Sequence, residues 1–398
     1  MTSNPPDTTT TNPAIWVTST AALEPPPPAP GPGETLVRVA YSGINPADVK
    51  LGRHLGIRDT VAGYDYSGTV VRAGAGSKFA AGDRIAGCTP CSMGRPPHFG
   101  THQDHVLAPD AMVWRVPDEN DDGSSRLPLD HAACLAVSAR TAADAVFNLL
   151  RYPLPADDDA VLPSPGPAGG HDAINREKEE KERDQKENDL PALLVWGGGS
   201  SLGFMAIQFA RAAGARRIFA TASPAHHGAL RELGATACFD YRDGDVVARV
   251  RGEAAAATGG VGITRVFDAV GDAAQGTAEK AFACAGSAAG EDVDDVIRVC
   301  STAHPGALVP LATLELPFSF SPPGAGGEVV TVPPRPEGAA RVVRALEWAV
   351  RGYGKAFRIP TVEVVEGRPV AELVRYLEER CEAGARFRKV CLKHPFWE

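Results

Sequence analysis

What the chain lacks narrows its class before any motif is read. No apolar run approaches the roughly 20 residues needed to span a bilayer, so a membrane-spanning protein is not expected. The Thr- and Pro-rich opening segment has neither a basic start nor an apolar core, resembling neither a signal peptide nor a helical transit peptide, and the expected compartment is the cytoplasm. Positive charge is in deficit: the formal net charge of -9 gives no reason to expect nucleic acid or an anionic membrane as partner. Paired cysteines are scarce too. Of the 8 cysteines only Cys88 and Cys91 form a C-x-x-C. That is half of a structural zinc site with no second pair nearby, so chance spacing is the expectation and no metal is assigned. In a reducing compartment the rest read as small core or surface residues.

What is present fits a soluble enzyme of two domains: 398 residues, 43% hydrophobic and 22% charged. The most informative stretch is LLVWGGGSSLGFMAIQFARAAGA, Leu193 to Ala215. Leu193 to Trp196 form a continuous apolar run suited to a strand buried on both faces, and Gly197, Gly198 and Gly199 allow a sharp turn. Phe204, Ile207, Gln208 and Arg211 follow at helical spacing, with Gly214 placed to end the helix. Such a helix start directs unpaired N–H groups and a positive dipole end at a ligand, a pyrophosphate site. Aligned on Gly198 and Gly203, the G-x-G-x-x-G fingerprint has Ser200 in place of its middle glycine, where a hydroxyl could reach a phosphate. Gly198, Ser200, Ser201, Leu202 and Gly203 are the candidate cofactor contacts here; the bland alternative is a glycine-rich turn without ligand.

A second strand, Arg217 to Ala222, ends where such a fold meets the adenine ribose. An acid there would grip the 2′-hydroxyl and repel a 2′-phosphate. The residues are instead Thr221, Ala222, Ser223, Pro224, Ala225, His226 and His227, which favours NADPH over NADH, with Ser223 and His226 as phosphate contacts. Alternatively the histidines only open an exposed helix.

Along the chain, the part up to about Asp118 reads as mostly β, after residues 1–11 expected to be disordered and a proline-rich loop between Glu24 and Glu34. Asp130 to Leu150 reads as a helix with Ala133, Leu135, Ala142, Ala145, Val146 and Leu149 on its apolar face. A low-complexity insertion, 153–191, precedes the central strand and reads as a solvated excursion. Then come strands at CFDY, 238–241, TRVFDAVG, 264–271, and VIRVCS, 296–301, a second insertion at 286–295, helices near 341–350 and 370–382, and strands IPTVEVV and KVCLK. Strand-helix alternation implies a parallel sheet covered on both faces.

GINPADVK, GYDYSGTVV, FAAGDRIAG, the glycine-turn unit, the SPAHH and DY pair and FDAVG together resemble the medium-chain dehydrogenase/reductase superfamily. GGGSSLG is similar to its zinc-independent branch, which includes quinone reductases and the fungal trans-acting enoyl reductases that serve polyketide synthases. The resemblance implies an α/β chain: a GroES-like β-rich catalytic domain at 12–139 and 355–398, and a Rossmann doubly wound parallel sheet binding NADPH at 140–354. The zinc enzymes of this superfamily carry a Cys where this chain has Asn45, and G-H-E where it has Gly63, Tyr64 and Asp65. Asn and Tyr are poor zinc ligands, so direct alcohol oxidation would lack its Lewis acid.

The implied reaction is hydride addition from NADPH to an activated C=C of an enone or a carrier-tethered enoyl thioester, with the enolate held by donors. In that reading Asn45 orients the carboxamide or the substrate carbonyl, Lys50 stabilises the developing oxyanion and Thr141 lies near the nicotinamide. Pro46, Asp48, Tyr241 and Val270 join the cofactor contacts, although Asp48 could equally fix its loop and Tyr241 could be an ordinary core residue. Where the family has a Ser-Gly-Lys-like segment touching the cofactor, this chain has ARFRKVCLK, 385–393. The alternatives are a quinone or 2-alkenal reductase, or a catalytically silent NADPH-binding partner of a synthase.

Overall fold

The computed structural model describes residues 12–17, 21–24, 27–117, 127–155, 190–286, 297–301, 306–322, 326–383 and 387–396. The N-terminal segment 1–11, nearly all of the insertion at 153–191 and all but the first residue of that at 286–295 lie outside them. The chain divides into two units, one of Met1–Arg140, Ala312–Ala340 and Ile359–Glu398, the other of Thr141–Leu311 and Arg341–Arg358.

In the second unit, short apolar runs too hydrophobic for a solvent-facing sheet pair with one another in parallel. Across the sheet they run Ala237–Phe239, Ile218–Thr221, Leu193–Trp196, Arg265–Asp268 and Arg298–Cys300. The strand order reverses at Leu193–Trp196, whose four residues are all buried, and ligands in open α/β sheets bind at such a switch point. One face is closed by Leu194, Trp196, Phe219 and Val266 against Val250 and Ala254 of the helix Val246–Ala257. The helix Ser201–Ala212 carries Phe209 against the rings of Phe147, Phe357 and Trp348.

In the first unit, Glu34–Ile44 is the long strand that positions the site. It pairs antiparallel with Asp65–Ala73, with His105–Pro109 and with Lys389–Lys393. Gly43 stands opposite Asp65 and, on the other edge, Ile44 opposite Val390, so the chain leaving this strand at Asn45 passes between residues far away in sequence. Val37, Val39, Tyr66, Ile85 and Val106 fill the core beside it. The helix Ala47–Leu55 follows at once, ended by Gly56 in the left-handed conformation.

Several expected elements differ. The helix expected over 130–150 is three pieces, Leu129–Ala132, Ala136–Ala143 and a π-helical turn Asp144–Leu149. The last begins at buried Asp144, whose carboxylate accepts from Asn148 Nδ2 at 2.8 Å and Leu311 N at 2.9 Å. The strand at 238–241 is Ala237–Phe239, which leaves Tyr241 in the turn beyond. Residues 312–340, expected in the nucleotide-binding domain, group with the first unit. Their hairpin, Phe318–Phe320 with Val330–Val332, is tied there by Met93 N to Ser319 O at 2.8 Å and Ser321 N to Leu55 O at 3.0 Å. Buried Arg140 also donates to Ala312 O at 2.7 Å and pairs with Glu315. No helix among the described residues is long and apolar enough to cross a membrane.

Candidate active site

Asn45 follows the central strand of the first unit and is 3% exposed. Its Nδ2 donates to Asp65 Oδ2 at 2.9 Å, and its Oδ1 accepts from Lys389 Nζ at 2.6 Å and Ser138 Oγ at 3.4 Å. The Lys389 ammonium has three N–H bonds, and they meet Asn45 Oδ1, Ser138 Oγ at 3.2 Å and Ile44 O at 3.3 Å. It stands 3.9 Å from Asp65, and both side chains are almost fully buried. The second oxygen of Asp65 accepts from Val137 N at 2.7 Å. Burial pushes the Asp65 carboxyl up to about 6; the Lys389 cation and the Asn45 and Val137 donors oppose that shift. Fixed on both sides, the Asn45 amide has one orientation, with a single N–H uncommitted in this network.

Asp48, one turn along, is also buried, and its Oδ2 accepts the Asn45 backbone N–H at 2.8 Å. The structure thus gives Asp48 a loop-fixing bond. Pro46 is exposed at the start of the same helix, and so is Lys50, whose backbone N–H bonds Pro46 O. Lys50 is not brought into the Asn45 network. Thr141 is buried in the helix Ala136–Ala143.

Tyr64, in the second position set against a zinc ligand, is buried with the Arg95 guanidinium 4.4 Å over its ring. Burial pushes its phenol well above the usual range, and pushes the thiols of Cys88 and Cys91 up to about 12 and about 11. Cysteine binds zinc as the thiolate, which these raised thiols disfavour. Among the described residues no group of three or more His, Cys, Asp or Glu could hold a metal ion.

In the second unit the turn after Trp196 is shaped by what cannot be there. Gly197 has φ 84° and donates to Thr221 Oγ1 at 3.0 Å. A Cβ on Gly203 would lie 2.2 Å from Gly197 O, so only glycine lets the helix approach the strand this closely. A Cβ on Gly198 would press on Ala220, Ile207 and Leu230, whereas one on Gly199 would meet nothing nearer than His226 Cδ2 at 3.7 Å. Ser200 caps the helix: its hydroxyl accepts from Gly203 N and donates to Ala269 O, both at 3.0 Å. Its proton is therefore directed at a carbonyl rather than at a phosphate. Ser201 and Leu202, at the first two helical positions, have N–H groups with no intrahelical acceptor. Gly-lined backbone, those N–H groups and a 12-residue helix dipole fit the pyrophosphate of a nicotinamide dinucleotide.

Ser223 is half-buried with no capping bond, and His226 is half-buried nearby, while His227 Nε2 lies 3.0 Å from Ala222 O. Tyr241 is 41% exposed, with Arg242 over its ring. Val270, also exposed, places its Cγ2 against the bare Cα of Gly197, and its N–H is held by buried Asp268. Sequence reasoning missed Lys389, Asp65 and Ser138 as the partners of Asn45. The available signal was a lysine directly ahead of the apolar run Val390–Leu392 in the strand Lys389–Lys393.

A family model described as "Alcohol dehydrogenase GroES-like domain" matches residues 31–118, and one described as "Zinc-binding dehydrogenase" matches residues 201–290. Trans-enoyl reductase caaB of Aspergillus niger is 30% identical over 57% of this chain and 55% of its own length. For trans-enoyl reductase tazE of Aspergillus terreus the figures are 30%, 56% and 64%. The chain spans about half the length of the curated relatives it matches. Among solved structures, the CurK enoyl reductase aligns with TM-score 0.59 and 17% identity over 96% of this chain and 99% of that one. The quinone oxidoreductase from Coxiella burnetii aligns with TM-score 0.60 and 16% identity, over 97% of this chain and 100% of that one. These structural likenesses show the fold.

Proposed function

Since the chain belongs to the medium-chain dehydrogenase/reductase superfamily, we propose that it is a metal-independent reductase of activated C=C bonds, acting on an enoyl thioester or enone with NADPH. Its specific form would be a trans-acting enoyl reductase working in the cytoplasm on a carrier-tethered polyketide intermediate, beside a synthase partner. The observation that carries the reading is the occupied Asn45 amide. Its oxygen, where the zinc enzymes offer a thiolate, is filled by Lys389 and Ser138, while one N–H is left to give. A donor without a metal suits an enolate oxygen, which needs hydrogen bonds as charge develops. The relatives named trans-enoyl reductase support the substrate class.

Gly198, Gly199, Ser201, Leu202 and Gly203 would hold the pyrophosphate, Ser223 and His226 the 2′-phosphate, and Tyr241 and Val270 would flank the nucleotide. Bound there, NADPH would supply the hydride. Asn45 would orient the carbonyl or the carboxamide, with its amide held in one orientation by Lys389 and Asp65, and Lys50 would add an exposed ammonium for the oxygen. Thr141 completes the proposed nicotinamide side. NADPH oxidation measured against crotonyl thioesters, simple quinones and 2-alkenals tests the reading, with thioester turnover expected. Turnover of quinones or alkenals alone would replace the substrate class, and tight NADPH binding with no turnover would indicate a silent partner.

A further inference from the structure

The first unit holds a second set of buried polar side chains. Asp104 Oδ1 lies 2.9 Å from His394 Nδ1, and His394 Nε2 lies 2.8 Å from Ser42 Oγ. Ser42 Oγ lies 2.9 Å from His102 Nδ1, and His102 Nε2 lies 3.2 Å from Asp48 Oδ2. The outer end, Asp104, has a side chain 14% exposed, while Ser42 and the side chains of His394, His102 and Asp48 are fully buried. At the inner end Asp48 Oδ2 also holds the Asn45 N–H, and Asp48 Oδ1 is buried with no hydrogen-bond partner.

The proton count of this chain does not close with ordinary protonation states. Four contacts need four protons. Two neutral imidazoles and one hydroxyl between ionised carboxylates supply only three. One contact would then set two lone pairs against each other in a buried, poorly screened site, where a mismatch is costly. A fourth proton fills every bond, and it can sit in several places. On His394, the Ser42 hydroxyl points at His102; on His102, it points at His394; on Asp48, every donor points outward toward Asp104. These states differ only by protons sliding within bonds that already exist.

We propose that Asp104, His394, Ser42, His102 and Asp48 form a proton relay that holds one proton more than two neutral imidazoles would and carries it to the Asn45–Asp48 corner. A proton given up at Asp48 leaves both imidazoles neutral, both carboxylates ionised and every donor pointing outward; the Ser42 hydroxyl and both ring N–H groups then reverse before Asp104 takes the replacement from water and passes it inward. Burial pushes the His394 imidazole down and Asp104 opposes it, with His102 and His105 facing it as further bases and the Phe396 ring stacked on it at 4.0 Å. Tyr64, Asp65, Cys91 and Cys381 face Asp48 at the other end. Use of the relay as the proton source of a reduction rests on the function proposed above; the proton count and the transfer do not.

The test is nitrogen and carboxyl-carbon NMR on the full chain at neutral pH, without substrate. The expected result is one extra proton over the four ring nitrogens and the two carboxylates, and exchange of the His102 ring N–H with solvent that slows by at least an order of magnitude in Ser42→Ala. Asp104→Asn, which removes the outer base but not the hydroxyl, should slow the same exchange. Two plainly neutral imidazoles between two ionised carboxylates would overturn the count. Exchange unchanged in both variants would overturn the transfer, whatever substrate the enzyme turns over.

Discussion

At the Asn45 corner nearly every strong polar group is taken by a neighbour, Lys389 by three oxygens and Asp65 by two N–H donors, whereas at the Gly197–Gly203 turn the backbone N–H groups of Ser201 and Leu202 are left to give. The first region is assembled from residues 45, 65, 138 and 389 and gains its rigidity from buried charge. The second lies within seven consecutive residues and gains its shape from absent side chains. A region built for a ligand offers donors, and a region built to hold one amide still consumes them.

The largest effect should come from breaking the closed side. Lys389→Met leaves Asp65 buried without its cation, and losing one member of a buried pair costs about 3–5 kcal/mol. Chemical denaturation should show that loss, while Lys50→Met, on an exposed helical position, should stay within about 0.5 kcal/mol. Equal effects would erase the distinction between the two lysines. On the open side, Gly203→Ala forces a methyl onto Gly197 O and should cost about 1–3 kcal/mol together with NADPH affinity. A melting temperature and dissociation constant matching wild type would show that the close approach is not needed.

Acidity sharpens the comparison. The Asp65 carboxyl titrates at about 6 in the fold against an ordinary 3.8, so the folded state holds its proton more tightly than the unfolded chain does. That stability is fully present below about pH 4 and is lost as pH rises through about 6. Urea unfolding across this range should show wild type losing stability relative to Asp65→Asn; parallel profiles would mean that folding does not raise the Asp65 carboxyl. The smallest effect is expected at the rim of the open region. Ser223→Asp should narrow the proposed preference for NADPH over NADH by about tenfold, ~1.4 kcal/mol. Equal dissociation constants for the two cofactors in the unsubstituted protein would remove the proposed 2′-phosphate contacts.

The contrast also explains what the sequence could tell. The glycine turn is local: strand, turn and helix follow within Leu193–Ala212, and the bounds expected from periodicity are close to those found. The α/β alternation after it was legible for the same reason. The Asn45 partners were not, because strand pairing rather than spacing brings Asp65 and Lys389 together. ARFRKVCLK reads as a departure from a Ser-Gly-Lys-like segment, yet its Lys389 is the residue that reaches Asn45. The hydroxyl of Ser200 was expected to serve a phosphate, and the structure spends it on Gly203 N and Ala269 O, a capping geometry that no spacing rule reveals. His102 and His394 carried no pattern at all, since Ser42 joins them only after three strands have paired.

The proposed reaction is tested most directly by the fate of the hydride. Crotonyl thioester would be incubated with NADPH deuterated at either face of the nicotinamide C4, and the product analysed for label. One deuterium at the β-carbon, from one face only, with a solvent proton at the α-carbon, is the predicted result. Saturated product carrying no label from either face, or no product while NADPH binds tightly, would contradict it.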